Sequence, residues 1–203
     1  MWGRRGATAG TGKEPDEARR ALGVEDRRIN PFLLYNPLRK FLENPNFLVK
    51  KFLRPGMNVA DVGCGPGFYT IPMARAVGEE GKVYAVDFDP KALDYLRRRV
   101  EREGIRNVLT FVGSAADLNF LPSDYFDFVL SKDVLCCVTK HREAAEEMLR
   151  ILKPGGRAYV SVMRGPKSDP RTVKPGELLN LFPKDSVVER GGGPLHSWFI
   201  IRK

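Results

Sequence analysis

The stretch Val59–Thr70, reading Val-Ala-Asp-Val-Gly-Cys-Gly-Pro-Gly-Phe-Tyr-Thr, constrains the fold more than any other part of the chain. A short apolar run ends in glycines at alternate positions, 63, 65 and 67, and an amphipathic run follows with Ile71, Met73, Ala74 and Val77 at helical spacing. Strand, glycine turn and helix in that order open a nucleotide-binding α/β unit. The glycines permit positive φ and let a ligand approach the backbone, which side chains would block, and the amides at the helix start favour an anionic group. Spacing then narrows the ligand. A dinucleotide fingerprint needs glycine where Phe68 stands, and a phosphate-binding P-loop needs Lys then Ser or Thr where Phe68 and Tyr69 follow Gly67. A tight strand-to-helix turn without a ligand is the alternative this motif leaves open.

Downstream segments agree with an α/β sheet. A second strand, Lys82–Val86, ends in Asp87, where a carboxylate at a strand tip can accept hydrogen bonds from two vicinal ribose hydroxyls; capping of the next helix falls to Asp89, before Pro90. The helix Pro90–Glu103 is expected to bury Ala92, Leu93, Leu96 and Val100, to stop at Gly104, and to carry Arg97, Arg98 and Arg99 mostly on a solvated outer face. A third strand, Asn107–Val112, leads to Gly113, Ser114 and Ala115. A fourth, Phe126–Ser131, leads to Lys132, Asp133, Cys136 and Cys137, at the sheet end where open α/β proteins bind ligands. A helix over Thr139–Leu152 buries Ala145, Met148, Leu149 and Leu152, with His141 as a surface or capping residue at its start. Lys153-Pro154-Gly155-Gly156 turns the chain into a fifth strand, Arg157–Val162. A short helix over 175–182 follows, then strands Ser186–Glu189 and Ser197–Ile201 joined by a flexible Gly191–Pro194 link. Upstream, Asn30-Pro31, Asn36-Pro37 and Asn44-Pro45 read as successive helix starts, and Pro15–Leu22 as a short helix after a mobile tail.

The pattern of Asp61, Gly63, Gly65 and Gly67, with Asp87 at its spacing and the Leu-Lys-Pro-Gly-Gly ending at 152–156, resembles the class I S-adenosylmethionine-dependent methyltransferases. The likeness runs from Met57 to Ile201. It implies a single Rossmann-like, doubly wound α/β domain over 55–203, with a seven-stranded, mostly parallel sheet and an antiparallel last strand. A short N-terminal helical extension over 30–54 would close over the cofactor or, alternatively, pack against the sheet edge, after a flexible basic tail over 1–29. S-adenosyl-L-methionine is then the cofactor, and Asp61, Gly63, Cys64, Gly65, Gly67, Asp87, Phe88, Ser114, Ala115 and Ser131 are expected to bind it. Ser114 stands where the family commonly has an acid for the adenine amino group, so its hydroxyl or the Ala115 amide would take that role. Asp117 then reads as a turn residue. The Asn-Pro-Pro-aromatic motif of enzymes acting on base amino groups is missing. The stretch after the fourth strand is instead similar to the branch that methylates small molecules, including quinone precursors. That branch often has His where Cys136 or Cys137 stands here. Asp133 and Lys132 lie where a general base or an orienting charge is expected, with a structural role at the strand end as the alternative.

Composition bounds the rest. At 203 residues and 42% hydrophobic content the chain fits one domain with a full core. Its apolar runs are too short to span a membrane and Met1–Gly12 lacks the apolar segment of a signal peptide, so a cytoplasmic protein is expected. Three cysteines without zinc-type spacing argue against a disulfide framework or a metal site. The 21 Arg and 13 Lys beside no Gln lean toward a heat-adapted source. The net charge of +9 sits in the flanks: residues 1–54 carry 12 basic and 6 acidic groups, 55–156 carry 13 and 15, and 157–203 carry 9 and 4. That distribution ranks a small, anionic acceptor first and RNA or protein second, with a non-catalytic cofactor-binding, RNA-associated protein as the rival reading.

Overall fold

The computed structural model describes residues 43–163, 169, 171–193 and 196–203. Expectations for the basic tail, the helix Pro15–Leu22 and the first two Asn-Pro starts lie outside those residues.

Local chemistry sets the element starts. Asn44 caps α1 (Pro45–Phe52) by accepting from the Asn46 amide, and Asp89 caps α3 (Pro90–Arg102) by accepting from the Lys91 amide, each with proline in the first turn. Between them, β1 (Asn58–Val62) runs into the glycine loop, α2 (Thr70–Val77) follows, and β2 (Lys82–Asp87) lies beside β1 in parallel register. After α3 come β3 (Val108–Val112), β4 (Phe126–Lys132), α4 (His141–Ile151), β5 (Leu152–Met163), α5 (Pro175–Asn180), a 3-10 turn at Lys184–Ser186, β6 (Val187–Gly192) and β7 (His196–Arg202).

The seven strands form one sheet in the order β3-β2-β1-β4-β5-β7-β6, in which β7 runs against both its neighbours. This is the expected doubly wound arrangement with its antiparallel last strand. One face packs on α1 and α2 through Val59, Val83, Phe128, Leu130, Tyr159 and Ile200, and α3 completes that layer with Leu93 and Leu96 against Ala85 and Ile71. The other face packs on α4 and α5 through Ala60, Val62, Val129, Val160, Val162 and Ile201. Leu93 and Leu96 are fully buried, and each contributes roughly 1.5–3 kcal/mol by leaving water. Because β1 and β4 are adjacent while the chain leaves them in opposite directions across the sheet, a crevice opens at their carboxyl ends.

Several local expectations change. Arg99, not Val100, is buried on the inner side of α3, for a reason given below. The inner face of α4 is Ala144, Ala145, Met148 and Ile151, whereas Leu149 is only half-buried and Leu152 already belongs to β5. The Lys153–Gly156 stretch is not a free turn. Leu152 pairs with Phe126, the register shifts, and the Gly155 amide and Gly156 carbonyl bond to Lys203. Gly191 and Gly192 extend β6 instead of forming a flexible link; a Cβ on Gly191 would strike the Trp198 ring, so glycine there is a packing requirement.

Candidate functional site

The glycine loop closes the crevice from the β1 side. Gly63, Gly65 and Gly67 have φ of +77°, +52° and +85°, the left-handed region that other residues enter only at a cost. A Cβ on Gly63 would run into Val134, and one on Gly67 into Leu96. The loop is laced to β2: the Gly63 and Cys64 amides both donate to the Val86 carbonyl (2.7 and 3.0 Å), and the Gly65 amide donates to Asp87 Oδ2 at 2.8 Å. From below, Arg99 Nη1 donates to the Pro66 and Gly67 carbonyls at 2.9 and 3.3 Å. This explains why one arginine of the 97–99 run turns inward while Arg97 and Arg98 stay exposed. Asp61 is buried and accepts from Thr70 Oγ1 at 2.6 Å, tying β1 to the start of α2. Cys64 is buried as well; burial, followed by the Asp61 and Asp87 charges, pushes its thiol far up, so it stays neutral.

Asp87 sits at the tip of β2, 9% exposed, with Oδ1 accepting from the Asp89 amide at 2.9 Å. Burial raises its carboxyl above the ordinary value, against the amides of Asp89 and Gly65 that hold it down. Phe88 beside it is half-buried, and the Asp87 carbonyl accepts from the Gly113 amide, which brings Ser114 and Ala115 to the same end of the sheet. Ser114 Oγ accepts from the Ala116 amide at 3.2 Å, leaving its hydroxyl hydrogen to direct elsewhere. Asp117 is exposed and accepts from the Asn119 amide, the turn role expected of it. Ser131 differs from the rest. It is fully buried within β4, with no hydrogen-bond partner for its hydroxyl among the described residues, and it does not join the loop cluster.

A second polar group gathers at the ends of β4, β5 and β7. Asp133 has φ of +58°, a strained value for a residue with a side chain. Its amide donates to the Ser161 carbonyl and Ser161 Oγ donates to Asp133 Oδ1, both at 3.0 Å. Oδ2 pairs with Lys132 Nζ and lies 3.5 Å from His196 Nε2. Lys132 also pairs with Glu43 at 2.8 Å, and Glu43 accepts from the Tyr69 hydroxyl at 2.8 Å, so the segment entering α1 is joined to the end of β4. Tyr159 is raised by burial and then by the charges of Asp133 and Glu43, and remains neutral. Cys136 donates to the Asp133 carbonyl at 3.1 Å; the neighbouring Cys137 thiol lowers its pKa against the opposing effect of burial. His141, read from sequence as a surface or capping residue, is instead buried in the first turn of α4.

Sequence reasoning missed Arg99, Glu43, Tyr69, Ser161 and His196. Each acts across the fold rather than along the chain, and no local pattern marks it. Among the described residues no group of three or more His, Cys, Asp or Glu is placed to hold a metal, and no helix is long and apolar enough to cross a membrane.

The sheet order, the left-handed glycine loop after β1 and the acidic tip of β2 together define the class I S-adenosylmethionine-dependent methyltransferase fold. Residues 59–156 match the family described as "Methyltransferase domain". The ubiquinone/menaquinone biosynthesis C-methyltransferase UbiE of Vibrio vulnificus is 36% identical over 132 residues, which are 64% of this chain and 51% of that protein. The demethylmenaquinone methyltransferase of Geobacillus stearothermophilus is 38% identical over 104 residues, 51% of this chain and 44% of that one. The chain thus spans about half the length of the curated relatives it matches. Among solved structures, an S-adenosylmethionine-dependent methyltransferase from Aquifex aeolicus superposes with a TM-score of 0.73 at 24% identity, over 86% of this chain and 99% of that one. The chain has the fold of the class I S-adenosylmethionine-dependent methyltransferases and, over residues 59–156, is similar in sequence to their methyltransferase domain.

Proposed function

We propose that this protein methylates a small hydroxylated aromatic acceptor, of the reduced quinone-precursor type, with S-adenosylmethionine as donor. The observation that carries the reading is the 2.8 Å bond from the Gly65 amide to Asp87, which joins a glycine-rich loop and a carboxylate into one site. The residues present fit the cofactor: left-handed glycines leave the backbone open, and the Asp87 carboxylate, which accepts from neighbouring amides, keeps accepting capacity for a ligand. Asp87 would take the ribose hydroxyls. The Gly63–Gly67 backbone would hold the amino-acid portion with Asp61 and Cys64 supporting the loop from within, and Phe88, Ser114 and Ala115 would border the adenine. When bound, the cofactor supplies an electrophilic methyl group on a good leaving group, so the protein's share of catalysis is positioning and exclusion of water. Lys132 does not suit the role of base, because its ammonium is held between Glu43 and Asp133; it orients those carboxylates.

The acceptor class is supported by the names of the relatives and by the hydrogen-bonding corner around Asp133. We infer a cytoplasmic setting, supported by the free thiols of Cys64, Cys136 and Cys137, and a heat-adapted source, supported by the Arg-rich composition without Gln. Incubating the purified protein with methyl-labelled cofactor and, separately, reduced demethylmenaquinone, RNA and a protein fraction tests the reading. Label in the extracted quinone is expected. Label in RNA alone would transfer the assignment to the basic flanks and overturn the small-molecule acceptor.

A further inference from the structure

We infer that His196, oriented by Asp133, is the general base that takes the hydroxyl proton of the acceptor, an inference resting on the methyl-transfer reading above. The chain has two histidines, and His141 is buried under the sheet in α4, whereas the His196 side chain is 41% exposed. His196 opens β7, paired with Met163 at the carboxyl end of β5, while Trp198 pairs with Ser161 and Ser161 with Lys132. These registers bring the imidazole to the end of the sheet where β4 delivers Asp133, the same end at which β1 delivers the glycine loop.

Asp133 is built to orient rather than to react. Its strained backbone persists because Ser161 grips it twice, at the amide and at Oδ1, and that grip aims Oδ2 at His196 Nε2. The 3.5 Å separation is long for a hydrogen bond, as catalytic pairs commonly are before substrate enters. With Nε2–H directed at the carboxylate, the lone pair on Nδ1 is left for the acceptor, and no other bond to that ring occurs among the described residues. The groups facing this corner are Glu43 from the segment before α1, Lys132, Asp133 and Cys136 from the end of β4, and Tyr159 from β5. Glu189 on β6 is engaged with Lys51 instead. In the step itself the acceptor's O–H bond breaks, its electron pair stays on oxygen, and the proton goes to Nδ1. The ring carbon made nucleophilic takes the methyl group while the sulfonium's bonding pair returns to sulfur. The displaced ring proton passes to water as the ring regains its aromaticity, and the Nδ1 proton returns to the oxygen it came from.

Two measurements test this, one independent of turnover. Nitrogen-15 NMR of the neutral His196 ring, without cofactor or acceptor, should show a fixed tautomer with Nε2 protonated and Nδ1 bare, and Asp133→Asn should convert it to a mixture. An Nδ1-protonated ring in the wild type, or a spectrum indifferent to Asp133→Asn, overturns the pair. On reduced demethylmenaquinone, His196→Asn should lower kcat by about 100-fold or more, the usual share of a general base, abolish the acidic limb of the pH profile, and leave cofactor affinity unchanged. Unaltered turnover and pH profile overturn the base role. Should Asp133→Asn fail to fold, Ser161→Ala, which frees Oδ1, should mobilise the tautomer and slow turnover to a smaller extent; no change in either overturns the pair. A wild type that leaves the quinol unmethylated, with its tautomer fixed as expected, refutes the acceptor reading and the base role while leaving the His196–Asp133 pair in place.

Discussion

Replacing Asp87 separates binding from folding in a way that tests the core of the site. Asp87→Ala removes the acceptor for the Gly65 and Asp89 amides and, on the reading above, for two ribose hydroxyls. Hydrogen bonds to a charged group are worth roughly 1.5–3 kcal/mol, so cofactor affinity should fall about 10- to 150-fold. Stability should suffer less than the loss of two amide bonds implies. Burial already raises the carboxyl, which means that the folded environment opposes its charge more than the amides favour it, and removing the group relieves that opposition. A fall in unfolding free energy below about 2 kcal/mol is expected. Calorimetric titration with S-adenosylhomocysteine and urea unfolding of the same samples provide the two numbers. Asp117→Ala, at an exposed turn, is the control and should leave affinity within about twofold. Equal losses in the two variants, or an unchanged affinity in Asp87→Ala, would refute the assignment of the carboxylate.

Further outcomes follow from the same geometry. Cofactor affinity should decline with falling pH from a point above the usual 3.8 of an aspartate, because burial raises Asp87 and its protonated form accepts less well; the unliganded fold responds with the opposite sign, since Asp87's own contribution to stability is present below its unfolded value and lost as pH rises through the folded one. Comparing titrations of the wild type and Asp87→Asn isolates this term. Gly67→Ala should destabilise the protein by roughly 1–3 kcal/mol through positive φ and the clash with Leu96, as read by chemical unfolding. Arg99→Met should weaken cofactor binding about tenfold through a loosened loop, whereas Arg98→Met on the exposed face should not change it. Calorimetry should find heat of binding for S-adenosylmethionine and none for NAD, whose fingerprint Phe68 interrupts.

What could be read from sequence was what depends on neighbours along the chain. The glycine loop, the Asn44 and Asp89 caps and Asp87 at a strand tip all follow from backbone requirements of adjacent residues, and the structure has each where the pattern put it. The seven-stranded, mostly parallel sheet with its antiparallel last strand was legible through the family resemblance rather than through spacing. Arg99 was not legible because an arginine within a triplet carries no sign of which member turns inward; the carbonyls of Pro66 and Gly67, 32 or more residues away, decide it. The Asp133 corner was half legible. Its position after β4 marked it, but Glu43, Ser161 and His196 reach it from three other parts of the chain, and only the closed sheet brings them together.

The seat of β7 between β5 and β6 imposes an order on synthesis. A ribosome makes the parallel strands first and β6 next, yet β6 has no partner, and β5 none on its far edge, until residues 196–202 emerge. Until then the growing polypeptide presents an open strand edge carrying Ala158, Val160 and Val162, the kind of surface that invites pairing with another molecule. The arrival of β7 closes that edge and, in the same movement, carries His196 to Asp133. The nascent chain therefore has a complete glycine loop well before β7 brings His196 to Asp133.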